Sequence, residues 1–369
     1  MTQEKETASV KAAFEKHFGQ TPGVVAYSPG RVNLLGEHTD YNGGFVLPMA
    51  LRGLGVSIAL GKGDKPGVIE AYSDTFDQTE LRTIEDGREG RWSDYLLGCL
   101  KAVAYEDVAV TGLRVALETT LPMGAGLSSS AALEVASIKA ALALFGRTMS
   151  SVDVAVKARA VENEFVGMPC GIMDQFASSV GDPGVAMFLN TRTLDYELVE
   201  TSPDFAFVII ASGVSHQLVD GGEDGYATRV AECQAACKAL NVEMLSDLGV
   251  GDLDRINGIS EPLNRRARHI VNDNKHVLDG VVALRNHDMA FFGKLMVASH
   301  LSQKDDYQIT VDETDAIVEA ALSFGALGAR QTGGGWGGSV VALVEKDQVD
   351  AFSQRILDRF EKTSILAVT

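Results

Sequence analysis

Residues 30–44 read Gly30-Arg31-Val32-Asn33-Leu34-Leu35-Gly36-Glu37-His38-Thr39-Asp40-Tyr41-Asn42-Gly43-Gly44. The stretch holds one cation, two acids, a histidine, two amides and four glycines, with neither helical nor strand rhythm. Apolar runs flank it: Val24-Val25-Ala26-Tyr27 before and Phe45-Val46-Leu47 after. A short polar loop held by rigid strands is where binding chemistry concentrates. A turn that only braced its own strands would not need so many different polar groups. Arg31 offers a fixed charge and bidentate donors suited to a phosphate oxygen. Glu37 and Asp40 are acceptors of the kind that fix sugar hydroxyls, and Asn33, His38 and Asn42 can both donate and accept.

Two further glycine motifs lie downstream. Pro122-Met123-Gly124-Ala125-Gly126-Leu127-Ser128-Ser129-Ser130-Ala131 is a glycine loop opening into a helix, whose free N–H groups make an anion site. It lacks the lysine of a Walker loop and the third glycine of a dinucleotide fingerprint. Its serines suit helix capping or Mg²⁺ ligation; capping is a sufficient account of Ser128 and a poorer one of Ser130. Thr332-Gly333-Gly334-Gly335-Trp336-Gly337-Gly338 has more glycine than a plain hairpin turn needs, which allows close backbone approach to a ligand. Between these motifs, Asp174 stands among apolar neighbours, and composition alone leaves it open between a structural acid and a functional one.

The chain has 369 residues, enough for two domains, with 46% hydrophobic and 22% charged residues, an ordinary soluble composition. A net charge of -18 disfavours nucleic acid and anionic membranes, so a phosphate site must rely on local donors. Cys99, Cys170, Cys233 and Cys237 show neither disulfide nor zinc spacing. No signal-peptide pattern or membrane-length apolar run is visible, and a reduced cytoplasmic setting is expected.

Helices are expected at 7–18, from about 92 to 105, and at 128–145, 151–166, 224–240, 262–282, 287–301, 312–323 and 347–361. Strands are expected at 23–28, 45–49, 54–60, 67–72, 112–120, 185–190 and 206–212, and on both sides of the last glycine loop (327–344). Strands and helices without regular alternation argue for an α+β class. The expected boundary divides the chain into 1–185 and 186–369.

In this order the segments resemble the galactokinase branch of the GHMP small-molecule kinases across nearly the whole chain. Gly30–Pro48 resembles the sugar signature and Pro122–Ala131 the nucleotide loop. Gly167–Gln175 resembles the catalytic-aspartate segment and Gly328–Gly338 the last glycine loop. Arg266-Ala267-Arg268-His269 and His300 through Tyr307 are smaller matches. The resemblance implies a two-domain fold, an N-terminal ribosomal-S5-like α/β domain and a C-terminal ferredoxin-like domain, with the active site in the cleft between them. It implies ATP phosphates over Gly124, Gly126, Ser128, Ser129 and Ser130, with Trp92 near the adenine. Mg²⁺ would be held by Ser130 and Glu162. Asp174 would take or orient the proton of the anomeric hydroxyl, and Arg31 would offset charge. Glu37, His38, Asp40, Gly171 and Tyr226 would hold the sugar. The implied reaction is ATP-dependent phosphorylation of D-galactose at C1.

The chain departs from the family pattern in three places. Gln331 and Ser339 replace the usual Met and Cys that bracket the last glycine loop. Trp336 replaces a Phe and is larger. The stretch between His216 and Tyr226 is longer than the pattern and makes Tyr226 the least secure match. Two alternatives follow: a sister 1-kinase acting on N-acetylgalactosamine, L-arabinose or galacturonate, and a non-catalytic sugar and ATP sensor. The presence of Arg31, Ser130, Glu162 and Asp174 argues against the sensor.

Overall fold

A computed structural model describes residues 2–215 and 225–369. The longer stretch before Tyr226 therefore lies, apart from Gly225, outside the described residues. In chain order the elements are α1 (Thr2–Phe18), β1 (Val24–Asn33), β2 (Phe45–Val46), β3 (Pro48–Lys62), β4 (Val68–Ser73), β5 (Gln78–Thr83), α2 (Ser93–Thr111) and β6 (Leu113–Thr119). They continue as α3 (Ser129–Leu144), α4 (Ser151–Ala160), α5 (Met173–Val180), β7 (Ala186–Asn190), β8 (Tyr196–Val199), β9 (Phe205–Ala211), α6 (Tyr226–Leu240) and α7 (Leu253–Asn257). The last are α8 (Leu263–Arg285), α9 (Met289–Ser302), α10 (Asp312–Ser323), β10 (Gly328–Thr332), β11 (Ser339–Glu345), α11 (Val349–Arg359) and β12 (Ser364–Val368). No helix among the described residues is long and apolar enough to cross a membrane. All four cysteines are free thiols.

The chain groups into two compact units: residues 1–30, 53–122 and 128–180 form one, and residues 31–52, 123–127 and 181–369 the other. The polar loop and the first glycine loop thus group with the later half of the chain. In the first unit β3 runs antiparallel to β6, from Val56 opposite Thr119 to Lys62 opposite Leu113. β4 pairs parallel with β6 and antiparallel with β5. Val10 and Phe14 of α1 bury against Ala59 and Ala116. In the second unit β2 and β8 flank β7, and a four-stranded antiparallel sheet runs β10-β11-β9-β12. One face of that sheet, with Val208, Ile210, Val340 and Ala342, packs on Ile317 and Ala321 of α10 and Phe352 of α11. On β9, Phe207 meets Phe292 of α9 edge-on at 6.0 Å. A sheet covered on both faces needs a continuous apolar strand rather than an alternating one, hence the unbroken run at 205–211.

Three expectations change. The runs 45–49 and 54–60 are not separate strands: β3 passes through both, because Gly53, at φ 72, bends the strand without ending it and Thr120 Oγ1 bonds the Gly55 N–H at 2.9 Å. The helix expected over 151–166 leaves α geometry at Ala160 and continues as a π-helical turn, Val161–Val166. A second π-helical turn, Gln303–Tyr307, follows α9. Finally β5, α5, β8 and β12 are too short, or too polar on their open faces, to show periodicity. β5 reads Gln-Thr-Glu-Leu-Arg-Thr and exists because β4 offers it a ladder.

Candidate active site

In the second unit, one face of α8 builds the polar loop. Residues 266, 269, 270, 273, 274 and 277 recur at helical spacing, and their side chains turn inward. Asp273 Oδ2 accepts from the Gly36 and Glu37 N–H groups at 3.1 and 2.8 Å. His269 Nε2 donates to the Glu37 carbonyl at 3.0 Å, and Asn274 Oδ1 accepts from Phe45 N at 2.8 Å. Gly36 sits at φ +87, and a Cβ there would come within 2.5 Å of the Phe45 carbonyl, so glycine is required.

The Glu37 carboxylate is buried and meets Arg330 Nη2 at 3.1 Å, while Arg330 Nη1 donates to the Asn33 carbonyl at 3.0 Å. Burial pushes the Glu37 carboxyl up to about 7, against the opposing pull of Arg330 and Arg31. Asp40 begins a short 3₁₀ turn, where its Oδ1 accepts from Tyr41 N at 3.0 Å. Tyr226 opens α6 and brings its ring to 5.0 Å from that of His38. Arg31 Nη1 donates to the Gly126 carbonyl at 2.6 Å.

The two glycine loops meet within this unit. A Cβ at Gly333, φ +90, would lie 2.6 Å from the Gly126 carbonyl, and one at Gly338 would lie 3.2 Å from that of Ala125. The glycines of the last loop therefore serve close backbone packing. The departures fit this core. Ser339 Oγ donates to the Ala125 carbonyl at 2.7 Å. Gln331 is buried, donating to Ile309 O at 3.0 Å and accepting from Thr314 Oγ1 at 2.8 Å. Trp336 packs against the core beneath α6 and α8, with the Arg229 guanidinium 5.6 Å from its ring.

The first unit gathers acids. Ser128 adopts a left-handed backbone, φ 62, and its side chain makes no helix cap. Its hydroxyl instead donates to Asp174 Oδ2 at 2.6 Å, which removes capping as its role. Asp174 lies in the first turn of α5, three residues after Gly171. The π-helical turn carries Glu162 into a buried position, where it is bonded by Ser130, Gln175 and Cys170. π-Turns of this kind recur at functional sites. Glu134, on α3, accepts from the same Gln175 Nε2 at 3.2 Å. Burial, then the charge of Asp174, pushes Glu162 up to about 7; burial and Glu162 push Glu134 well above the carboxylate range. Trp92 precedes α2, and its indole N–H is buried with no hydrogen-bond partner among the described residues. Ser129 is exposed at the start of α3.

Each unit thus collects its share of the expected residues: Arg31, Glu37, His38, Asp40, Gly126 and Tyr226 in one, and Ser128, Ser130, Glu162 and Asp174 in the other. The sequence reading missed Arg330, Asp273, Glu134 and Gln175. Glu134 had a signal, since it is the lone acid in a helix that is otherwise small or apolar apart from Lys139. Arg330, in a short strand, had none.

The model for the galactokinase galactose-binding signature matches residues 12–61. Models for the N-terminal and C-terminal domains of GHMP kinases match residues 94–182 and 281–362. A galactokinase of Haemophilus influenzae (strain Rd) is 39% identical over 366 residues, covering 96% of this chain and 94% of its own. One from Chloroflexus aurantiacus is also 39% identical, covering 96% and 92%. The crystal structure of Lactococcus lactis galactokinase complexed with galactose matches with a TM-score of 0.89 at 30% identity, covering 98% of this chain and 96% of that one. With such relatives spanning nearly its whole length, and the galactose-binding signature falling on the polar loop, this chain belongs to the galactokinases of the GHMP kinase family.

Proposed function

We propose that the protein transfers the γ-phosphoryl group of ATP to the anomeric C1 hydroxyl of D-galactose, giving α-D-galactose 1-phosphate and ADP. The observation that carries this reading is the match of residues 12–61 to the galactose-binding signature, whose polar residues the fold buries and holds. Glu37, Asp40, Gly171 and Tyr226 hold the sugar, and His38 belongs with them through the loop it sits in, since its two ring nitrogens face Tyr41 and Gly334. Asp174 receives or orients the C1 hydroxyl proton, and the Ser128 bond fixes the carboxylate that does so. Arg31, anchored on the Gly126 carbonyl, offsets charge on the transferring group. Such a reaction is mostly positioning and electrostatics, which one cation, one acid and a metal supply.

Gly124, Gly126 and Ser128–Ser130 take the nucleotide phosphates, and the buried indole N–H of Trp92, which has no partner among the described residues, suits a residue beside the adenine. The donor set fits Mg²⁺. Among the described residues no group of three or more metal-ligating side chains converges, and Mg²⁺ is ordinarily held by one or two carboxylates plus substrate phosphates. Ser130 and Glu162 are the ligands in this reading. The metal, when bound, neutralises phosphate charge and orients the γ-phosphoryl group.

We retain 1–185 and 186–369 as the two kinase domains, a division supported by the family matches that fall inside them. A cytoplasmic setting accords with free thiols throughout. The test is ADP release from Mg·ATP across galactose, 2-deoxygalactose, N-acetylgalactosamine, arabinose, galacturonate and glucose. Turnover led by galactose supports the reading. Turnover led by another sugar transfers specificity to Trp336 and the stretch before Tyr226. ATP binding without turnover on any sugar points to the sensor.

A further inference from the structure

A hydrogen-bond chain behind the sugar loop has a direction that can be read from one end. The His38 ring is buried, with Nε2 3.1 Å from the Gly334 carbonyl and Nδ1 2.8 Å from the Tyr41 hydroxyl. The Tyr41 hydroxyl lies 2.7 Å from that of Tyr307, which lies 3.1 Å from Cys233 Sγ. A carbonyl oxygen has no proton to give, so Nε2 is the donor and carries the hydrogen. In a neutral ring Nδ1 is then bare, and Tyr41 donates to it. Tyr41, its proton committed, accepts from Tyr307, and Tyr307 accepts from the Cys233 thiol.

Reversing the chain requires an imidazolium. That cation would be buried among Tyr41, Tyr226 and Tyr307, and the buried Arg229 already donates to the Tyr307 carbonyl at 2.9 Å and stands over Trp336. Burying a charge without a counter-ion is costly. The same logic holds at His269, whose ring is tilted against that of Tyr307 with centroids 4.3 Å apart, and where Nε2 faces the Glu37 carbonyl and Nδ1 the Ser302 hydroxyl.

We propose that His38 acts as a positioning residue through its ring: Tyr41 and Tyr307 hold it as the neutral Nε2–H tautomer, and that proton ties the sugar loop to Gly334 of the last glycine loop. His38 and Trp336 both sit at positive φ, 59° and 53°, so the bond joins two segments whose backbones need outside support. Sugar affinity then depends on Tyr41 and Tyr307, whose hydroxyls are spent inside the protein. The dependence on sugar rests on the proposed galactokinase reading; the tautomer does not.

Imidazole ¹⁵N NMR at pH 7, with His38→Gln to assign the signal, tests the tautomer. A protonated Nε2 with a bare Nδ1 is expected, and a bare Nε2 or a doubly protonated ring overturns the proposal. Tyr41→Phe should shift the Nδ1 resonance and raise the galactose KM about fivefold, the worth of one hydrogen bond, with kcat within about twofold. An unchanged KM and Nδ1 shift would also overturn it. Tyr307→Phe, which leaves the Tyr41 donor in place, should show the same changes at smaller size and serves if Tyr41→Phe does not fold. His38→Gln, which keeps an amide donor for Gly334, should retain more sugar affinity than His38→Ala. Equal losses would leave the ring's hydrogen bond without a role. The NMR arm needs no turnover, so failure of the galactose reading leaves that arm decisive.

Discussion

The two units bury carboxylates in opposite ways. Glu37 and Asp273, in the second, are answered from within the chain: Arg330 for one, and two backbone N–H groups and His276 for the other. Asp273 accordingly lies well below the usual carboxylate range despite full burial. Glu134 and Glu162, in the first, receive their hydrogen bonds from neutral groups, Gln175, Ser130 and Cys170, while Asp174 adds like charge. The difference separates two tasks. A self-compensated site recognises a neutral ligand by geometry, whereas raised acids whose hydrogen-bond donors are neutral gain most from a cation that arrives with its substrate.

The largest test strikes the acid cluster. Asp174→Asn should lower kcat by about 10²–10⁴ while leaving ATP and sugar binding largely intact. Removing a like charge should also let Glu162 titrate nearer the ordinary range. Retained turnover would make Asp174 structural and end the distinction between the units. Next comes the self-compensated pair. Arg330→Gln leaves Glu37 buried without its cation and should cost about 3–5 kcal/mol in a denaturant titration. The double variant Glu37→Gln/Arg330→Gln should recover part of that loss, and strict additivity would show that the two are not coupled.

Ser130→Ala should weaken nucleotide binding about tenfold with Mg²⁺ present and little without it, by calorimetry at both conditions. A wild-type Mg²⁺ titration removes Ser130 from the metal site. The pH dependence sharpens the comparison further. With its carboxyl raised to about 7 in the fold, Glu37 holds a proton that the unfolded chain releases near 4.3. Its contribution to stability is therefore greatest below that lower value, declines as pH rises, and is fully lost above about 7. As a sugar acceptor it works when ionised, so the galactose KM should fall severalfold as pH rises through about 7. Glu37→Gln should abolish that limb. The smallest expected effect is Trp336→Phe, which should shift sugar preference by less than about threefold.

Much of the site could be read in advance because its loops announce themselves locally. A glycine loop followed by serines, or a polar run between apolar strands, is informative without any partner. The loops that meet, at Gly126 and Gly333, are each visible as loops, yet nothing in either names the other. The helix expected over 262–282 is equally visible, but not that its inward face carries His269, Asp273 and Asn274 to the sugar loop. Periodicity marks which side of a helix is buried and says nothing about what buries it. The two π-helical turns escaped because one extra residue per turn barely disturbs an apolar pattern, while one turn carries Glu162 and the other ends on the buried Tyr307.

Taken alone, the amino-acid sequence determined the α+β class, the order of the motifs, and the acids, serines and cation available for chemistry. These rest on residue type and short-range spacing, which need no third dimension. Only the tertiary structure decided that Arg330 answers Glu37 from 293 positions away, that Gln175 joins Glu134 to Glu162, and that Ser128 serves Asp174 rather than its helix. Burial obliges a polar atom to find a partner, and which atom lies within reach is settled by packing, not by proximity along the chain.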